Sequence, residues 1–234
     1  DDRSEGAPPS RSSRRSPSHA DMTSWLQDMA ARVKRVERDG AEQLTTASFV
    51  DVCEGNQAIF AILFSGPLTQ AVGSQLLQSN KDGIAQVRKD AAEVPAGSGA
   101  TVLQLVQHQV STLGEACGKP GERNATKSIL WLNRELTFIC MVMRLIASGK
   151  DSGEAGSQAY EVVIKRYHPW VVQKLVGAAV GYVPSIDQIL EKLEIASKEE
   201  GLRQLEEFCT LVEALSAEVS ALLEKEGANF QGQA

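Results

Sequence analysis

The sequence lacks any apolar run of about 18 residues, so no segment is expected to cross a membrane. No apolar signal-peptide core follows the first residues, and a cytoplasmic location is expected. Aromatic residues are scarce, at 5% of the chain, so each tryptophan and tyrosine invites a reason. There are only 3 histidines and 4 cysteines. Cys53, Cys117, Cys140 and Cys209 lie far apart, which suits reduced thiols in the cytosol better than a disulfide framework or a zinc site. No glycine-rich phosphate loop, no nucleophile motif and no His/Cys cluster at metal spacing occurs. Neither a cofactor nor a metal is therefore expected, and enzymatic activity is not. A net charge of −6 argues against a nucleic-acid surface.

What is present is helical. Residues 1–21 are rich in Ser, Arg and Pro and are read as a disordered tail, because they carry too little apolar surface to offset ordering. Residues 22–234 are read as one domain. Trp25, Met29, Val33 and Val36 recur at helical spacing. A second helix runs from Phe49 through Phe64 and stops at Ser65-Gly66-Pro67. Further helices are expected from about Leu68 to Glu93, Val102 to Leu113 and Ala125 to Ser148, with Gly149 to Gly156 a polar loop. Ser185-Ile-Asp-Gln188 and Ser197-Lys-Glu-Glu200 are capping boxes that open the last two. No strand is convincing. The expectation is an all-α fold of seven or eight helices.

The stretch Ala159 to Tyr182 is the unusual one. It is apolar and helical in period, yet His168, Pro169 and Trp170 interrupt its centre. Proline removes a backbone donor and pushes the preceding residue out of helical angles, so the chain should kink or break beside an imidazole. In the preceding helix Trp131 and Arg134 are three apart and share a face, while Leu132, Leu136 and Ile139 share another. An indole face can stack on the C–H side of a sugar ring. Equally, Trp131 and Trp170 can be packing residues, and Arg134 an ion-paired or solvated charge.

These two blocks, ILWLNRELTFI and AYEVVIKRYHPWVVQKLVGAAVGYVPS, resemble the glycolipid transfer protein family. The resemblance rests on Trp131, Arg134, Phe138, Tyr160, His168, Trp170, Gln173, Lys174 and Pro184, in order. It implies a two-layer all-α sandwich without enzymatic activity, with an apolar pocket that takes the chains of one sphingolipid. Phe60, Phe64, Phe138, Met141, Met143, Leu145 and Val172 are available to line it. Trp131 would be the platform for the first sugar, and His168 would donate to the ceramide amide carbonyl. Trp170 would face the membrane, helped by Lys165, Arg166 and Lys174. Phe230 would close the site from the C-terminus. The protein would act as a monomer with transient, peripheral membrane contact.

Headgroup recognition in the family uses Asp, then Asn or Lys four residues on, then often Lys three further. Asp82, Gln86 and Lys89 have that spacing, but this register leaves Asp90 at an apolar position. The alternative register, with Ile84 and Val87 buried, places Ser79, Gly83 and Gln86 at the polar sites and lacks the carboxylate. Tryptophan at 131 favours a sugar headgroup. Arg134 and Lys89 leave a ceramide-1-phosphate carrier open, and the imperfect Asp motif leaves open a lipid sensor or adaptor that does not transfer.

Overall fold

The computed structural model describes residues 24–231 apart from 68, 96 and 98. The expected tail, residues 1–21, lies outside the described residues. Among those described there are ten α-helices, two 3₁₀ helices and no strand beyond two isolated bridges. The helices are α1 (Trp25–Lys34), α2 (Thr46–Gly55), α3 (Gln57–Leu63), α4 (Gln70–Glu93) and α5 (Val102–Leu113). They continue as α6 (Ala125–Ala147), α7 (Ser152–Val163), α8 (Trp170–Val180), α9 (Ile186–Lys192) and α10 (Lys198–Lys225).

The fold is an all-α sandwich with α6 as its axis. Helices α4, α7 and α10 pack on α6, α2 and α3 cover α4, and α1 lies across α10 and α2. Phe49, Phe60, Phe64, Phe208 and Met29 are fully buried. Each such side chain stabilises the fold by about 1.5–3 kcal/mol relative to exposure. Phe138 and Met143 are buried in the same core, with Met141, Leu145 and Val172 packed against its edge. All four cysteines are free and buried.

The helix count exceeds seven or eight because the second helix is broken and the stretch Ala159 to Tyr182, expected to kink or break, divides into two helices. The first break falls at Asn56. The Trp25 indole donates to the Gly55 carbonyl at 2.9 Å, the acceptor a continuous helix would need four residues later. Gly55 has no room for a side chain either: a Cβ there would meet Met29 Sδ at 2.5 Å. Packing of α1 thus interrupts the run. The second break separates α7 from α8 at Pro169. His168 is extended (φ −90°, ψ 141°), as a residue before proline must be. Gln173 Nε2 seals the gap by donating to the carbonyls of His168 at 2.8 Å and Lys165 at 3.0 Å.

The expected loop from Gly149 to Gly156 is shorter than read. Asp151 accepts from the Glu154 amide at 3.0 Å and starts α7 at Ser152. Two glycines stand inside this helix, and both are there for close packing. A Cβ on Gly156 would lie 2.2 Å from the Val180 carbonyl oxygen, and one on Gly153 2.5 Å from that of Gly181. The capping box at Ser185 forms with both hydrogen bonds. At Ser197 only the Glu200 amide is capped, because the Glu200 carboxylate is taken by Arg203 and Gln204.

Candidate headgroup site

Helix α6 is capped by Asn124, whose Oδ1 accepts from the Lys127 amide at 2.9 Å. Its next turn carries Trp131, half-buried at the wall of a cavity of about 370 Å³. Ser79, Asp82, Gly83 and Gln86 of α4 line it from the facing helix, and Arg123, Lys127 and Ser128 line it around the start of α6. Asp82 is exposed and accepts from Gln78 Nε2 at 2.7 Å. Gln86 donates to Asp90 Oδ1 at 2.6 Å. Both registers of the α4 motif therefore touch the cavity through Gln86. Lys89 is exposed and does not line it.

Asp90 explains its own presence. Its Oδ2 accepts from the Ala125 backbone amide at 2.7 Å and from Gln109 Nε2 at 2.6 Å. A carboxylate at the first turn of α6 satisfies a donor the helix cannot and meets the positive end of its dipole. The position that looked wrong for an apolar helix face is a cap supplied from α4.

His168 and Trp131 form a parallel stack, ring centroids 5.3 Å apart and planes 6° from coplanar. The break at Pro169 puts the imidazole there. Tyr160 of α7, eight residues earlier in the chain, bonds His168 Nδ1 through its hydroxyl at 3.0 Å. Burial lowers the His168 pKa to about 4 and raises that of Tyr160 to about 12. At neutral pH the tyrosine keeps its proton and the imidazole is neutral. In the tautomer in which the O–H donates to Nδ1, the ring proton sits on Nε2 and makes it a donor.

Arg134 is buried, 7% exposed, so the face it shares with Trp131 is not the open one that spacing suggested. Its guanidinium lies 3.5 Å from the Tyr167 ring centroid and 5.3 Å from that of Trp131. Nη2 donates to the Phe230 carbonyl at 2.7 Å and to Asn229 Oδ1 at 3.2 Å. Desolvation lowers its pKa to about 10, still charged at neutral pH. Arg134 thus ties the C-terminal segment beside the aromatic stack. The Phe230 ring packs over Gly118, where a Cβ would come within 2.6 Å of it.

The residues expected at a membrane lie apart from the cavity. Trp170 is 68% exposed, with Val171 and Leu175 of α8 and Val162 of α7 also exposed. Lys174 Nζ sits 5.9 Å over the Trp170 ring. Lys165 pairs with Glu161, and Arg166 packs on the Tyr167 ring at 4.6 Å. Among the described residues no helix is long and apolar enough to cross a membrane, and no acidic, His or Cys group could hold a metal.

Spacing did not reveal Glu135. It sits four residues after Trp131, is 8% exposed and lines the cavity. A charged residue inside a long, largely apolar helix was the available signal.

Comparison with known proteins bears on the family and the fold. A family model described as Glycolipid transfer protein (GLTP) matches residues 44–195. Glycolipid transfer protein A of Xenopus laevis is 27% identical over 188 residues, covering 74% of this chain and 86% of the relative. A structure reported for how FAPP2 selects simple glycosphingolipids with the GLTP fold superposes at a TM-score of 0.73, 20% identical, covering 91% of this chain and 100% of the other. The ligand-free mouse ceramide-1-phosphate transfer protein superposes at 0.73 with 16% identity, covering 88% of this chain and 98% of the other. At such identities the two superpositions speak for the fold alone.

Proposed function

We propose, because the chain belongs to the glycolipid transfer protein family, that it binds one sphingolipid and carries it between membranes without chemical change. The observation that carries the reading is the Trp131–His168 stack at the wall of a polar cavity. The open side of the indole offers a sugar ring an apolar face, and Asp82 and Gln86 lie across the cavity to meet its hydroxyls. Neutral His168 offers Nε2–H to the ceramide amide carbonyl. The acyl chains enter between the helix layers. Withdrawing them from a bilayer forfeits about 0.8 kcal/mol per CH₂, so only a dry apolar interior can receive them. Met141 and Met143 suit a core that must open and close.

The exposed apolar group Trp170, Val171 and Leu175, with Lys174 beside it, is the surface we assign to transient membrane docking. Lys165 and Arg166 flank it toward anionic headgroups. The site needs neither a second copy of the chain nor a cofactor, and the protein acts as a monomer at the membrane surface.

A second reading is favoured by Arg123 and Lys127 among the residues lining the cavity: a ceramide-1-phosphate headgroup held there. A vesicle transfer assay with galactosylceramide, ceramide-1-phosphate and phosphatidylcholine decides. Transfer of the galactolipid supports the sugar reading. Transfer of the phosphorylated lipid alone moves the headgroup to Arg123 and Lys127. Transfer of neither overturns lipid carriage and leaves a sensing or adaptor role.

A further inference from the structure

We infer that Glu135 is the carboxylate that reads hydroxyl donors in the Trp131 cavity and selects a neutral, hydroxyl-bearing headgroup over a phosphate; this rests on the lipid-carrier reading above. Glu135 lies one α6 turn from Trp131, so the two side chains face the same cavity. Its Oε2 accepts from Asn80 Nδ2 at 2.7 Å. The Asn80 amide is held in that orientation by Gln57, whose Nε2 donates to Asn80 Oδ1 at 3.0 Å. Oε1 has no partner in the described protein and is not sealed from the cavity. No Lys or Arg pairs with Glu135 among the described residues.

A buried carboxylate without a cation is costly unless donors reach it. One donor comes from the protein. The rest of its capacity points into a space walled by an indole, where a sugar supplies O–H groups. A phosphate supplies mainly acceptors and a like charge. The other charged groups on the cavity are Asp82 of α4, Glu122 and Arg123 before α6, and Lys127 on its first turn. Arg123 is exposed and Lys127 half-buried, whereas Glu135 is the buried acid. Behind it lies the Cys53 thiol of α2, itself pushed up by burial and by the Glu135 charge. Desolvation raises Glu135 to about 7, so the acceptor is charged only toward the alkaline side of neutrality.

The test compares the wild type with Glu135→Gln, which keeps the shape and an oxygen for Asn80 but removes the charge. Transfer of galactosylceramide and of ceramide-1-phosphate is measured from phosphatidylcholine vesicles at roughly pH 8. The variant is expected to lose about tenfold in its preference for the galactolipid. Wild-type galactosylceramide transfer should drop as pH is lowered through about 7, and the variant should lack that drop. A purely structural Glu135–Asn80 pair would instead lower transfer of both lipids together and leave their ratio unchanged. An unchanged ratio in a folded variant overturns the inference while leaving the carrier reading intact. Absence of transfer by the wild type overturns both. Should Glu135→Gln lose its helical circular dichroism, Glu135→Asp, which withdraws the carboxylate by one methylene, carries the same comparison.

Discussion

The imidazole of His168 and the indole of Trp131 lie 5.3 Å apart in planes 6° from parallel, although one belongs to a proline-broken segment and the other to the central helix. The stack buries the imidazole on one side, and Tyr160 holds it from the other. Each ring therefore sets the chemistry of its neighbour. Trp131 gains a fixed orientation, and His168 loses the solvent that would let it charge.

Trp131→Ala should abolish galactosylceramide transfer and leave helical circular dichroism intact. It should also let water reach His168, so that the imidazole pKa climbs from about 4 toward 6.5. An NMR titration of the His168 ring protons checks this. A pKa that stays put would mean that the indole does not desolvate the imidazole.

Two desolvated groups should tilt stability with pH in opposite directions. The folded His168 pKa is about 4, below its ordinary 6.5, so the unfolded chain takes up the proton first. Its contribution is complete above 6.5 and is lost as pH falls toward 4. Glu135 is raised from 4.5 to about 7, so its burial is best tolerated at low pH and weighs against folding as pH rises through that window. Denaturation midpoints across pH should show His168→Phe flattening the acid loss. Glu135→Gln should gain on the wild type as pH rises.

Gly156→Ala should destabilise the fold by about 1–3 kcal/mol, as overpacking does. The new methyl group would meet the Val180 carbonyl oxygen at 2.2 Å, and backbone cannot rotate away. Thermal unfolding measures the loss. Gly40→Ala, where a Cβ meets nothing within 4 Å, is the control and should be nearly neutral.

Trp170→Ala should leave stability within about 0.5 kcal/mol, because the side chain is largely exposed. Vesicle binding and transfer should fall. In the Trp131→Phe background, where Trp25 remains packed on Phe208, tryptophan emission should shift to the blue on adding vesicles. No shift would place the docking surface elsewhere.

The sequence by itself determined the helical class and most helix ends, and it singled out Trp131 and His168 without placing one ring on the other. Periodicity marks buried faces, capping residues mark starts, and proline forces His168 out of the helix. Only the tertiary structure decided what depends on neighbours far along the chain. The break at Asn56 comes from the Trp25 indole competing for a carbonyl, and the glycines of α7 answer to carbonyls at the end of α8. Asp90 reads as an error in a helix pattern until the first turn of α6 is seen to need a cap from another helix. Arg134 reads as a surface charge until the C-terminal segment closes over it. Glu135 could be seen as a charge in an apolar helix, but its environment is made by Asn80 and Gln57, residues 55 and 78 positions earlier. Local preference is written in neighbouring residues; burial and hydrogen-bond satisfaction are properties of the packed assembly, and these set the character of the site.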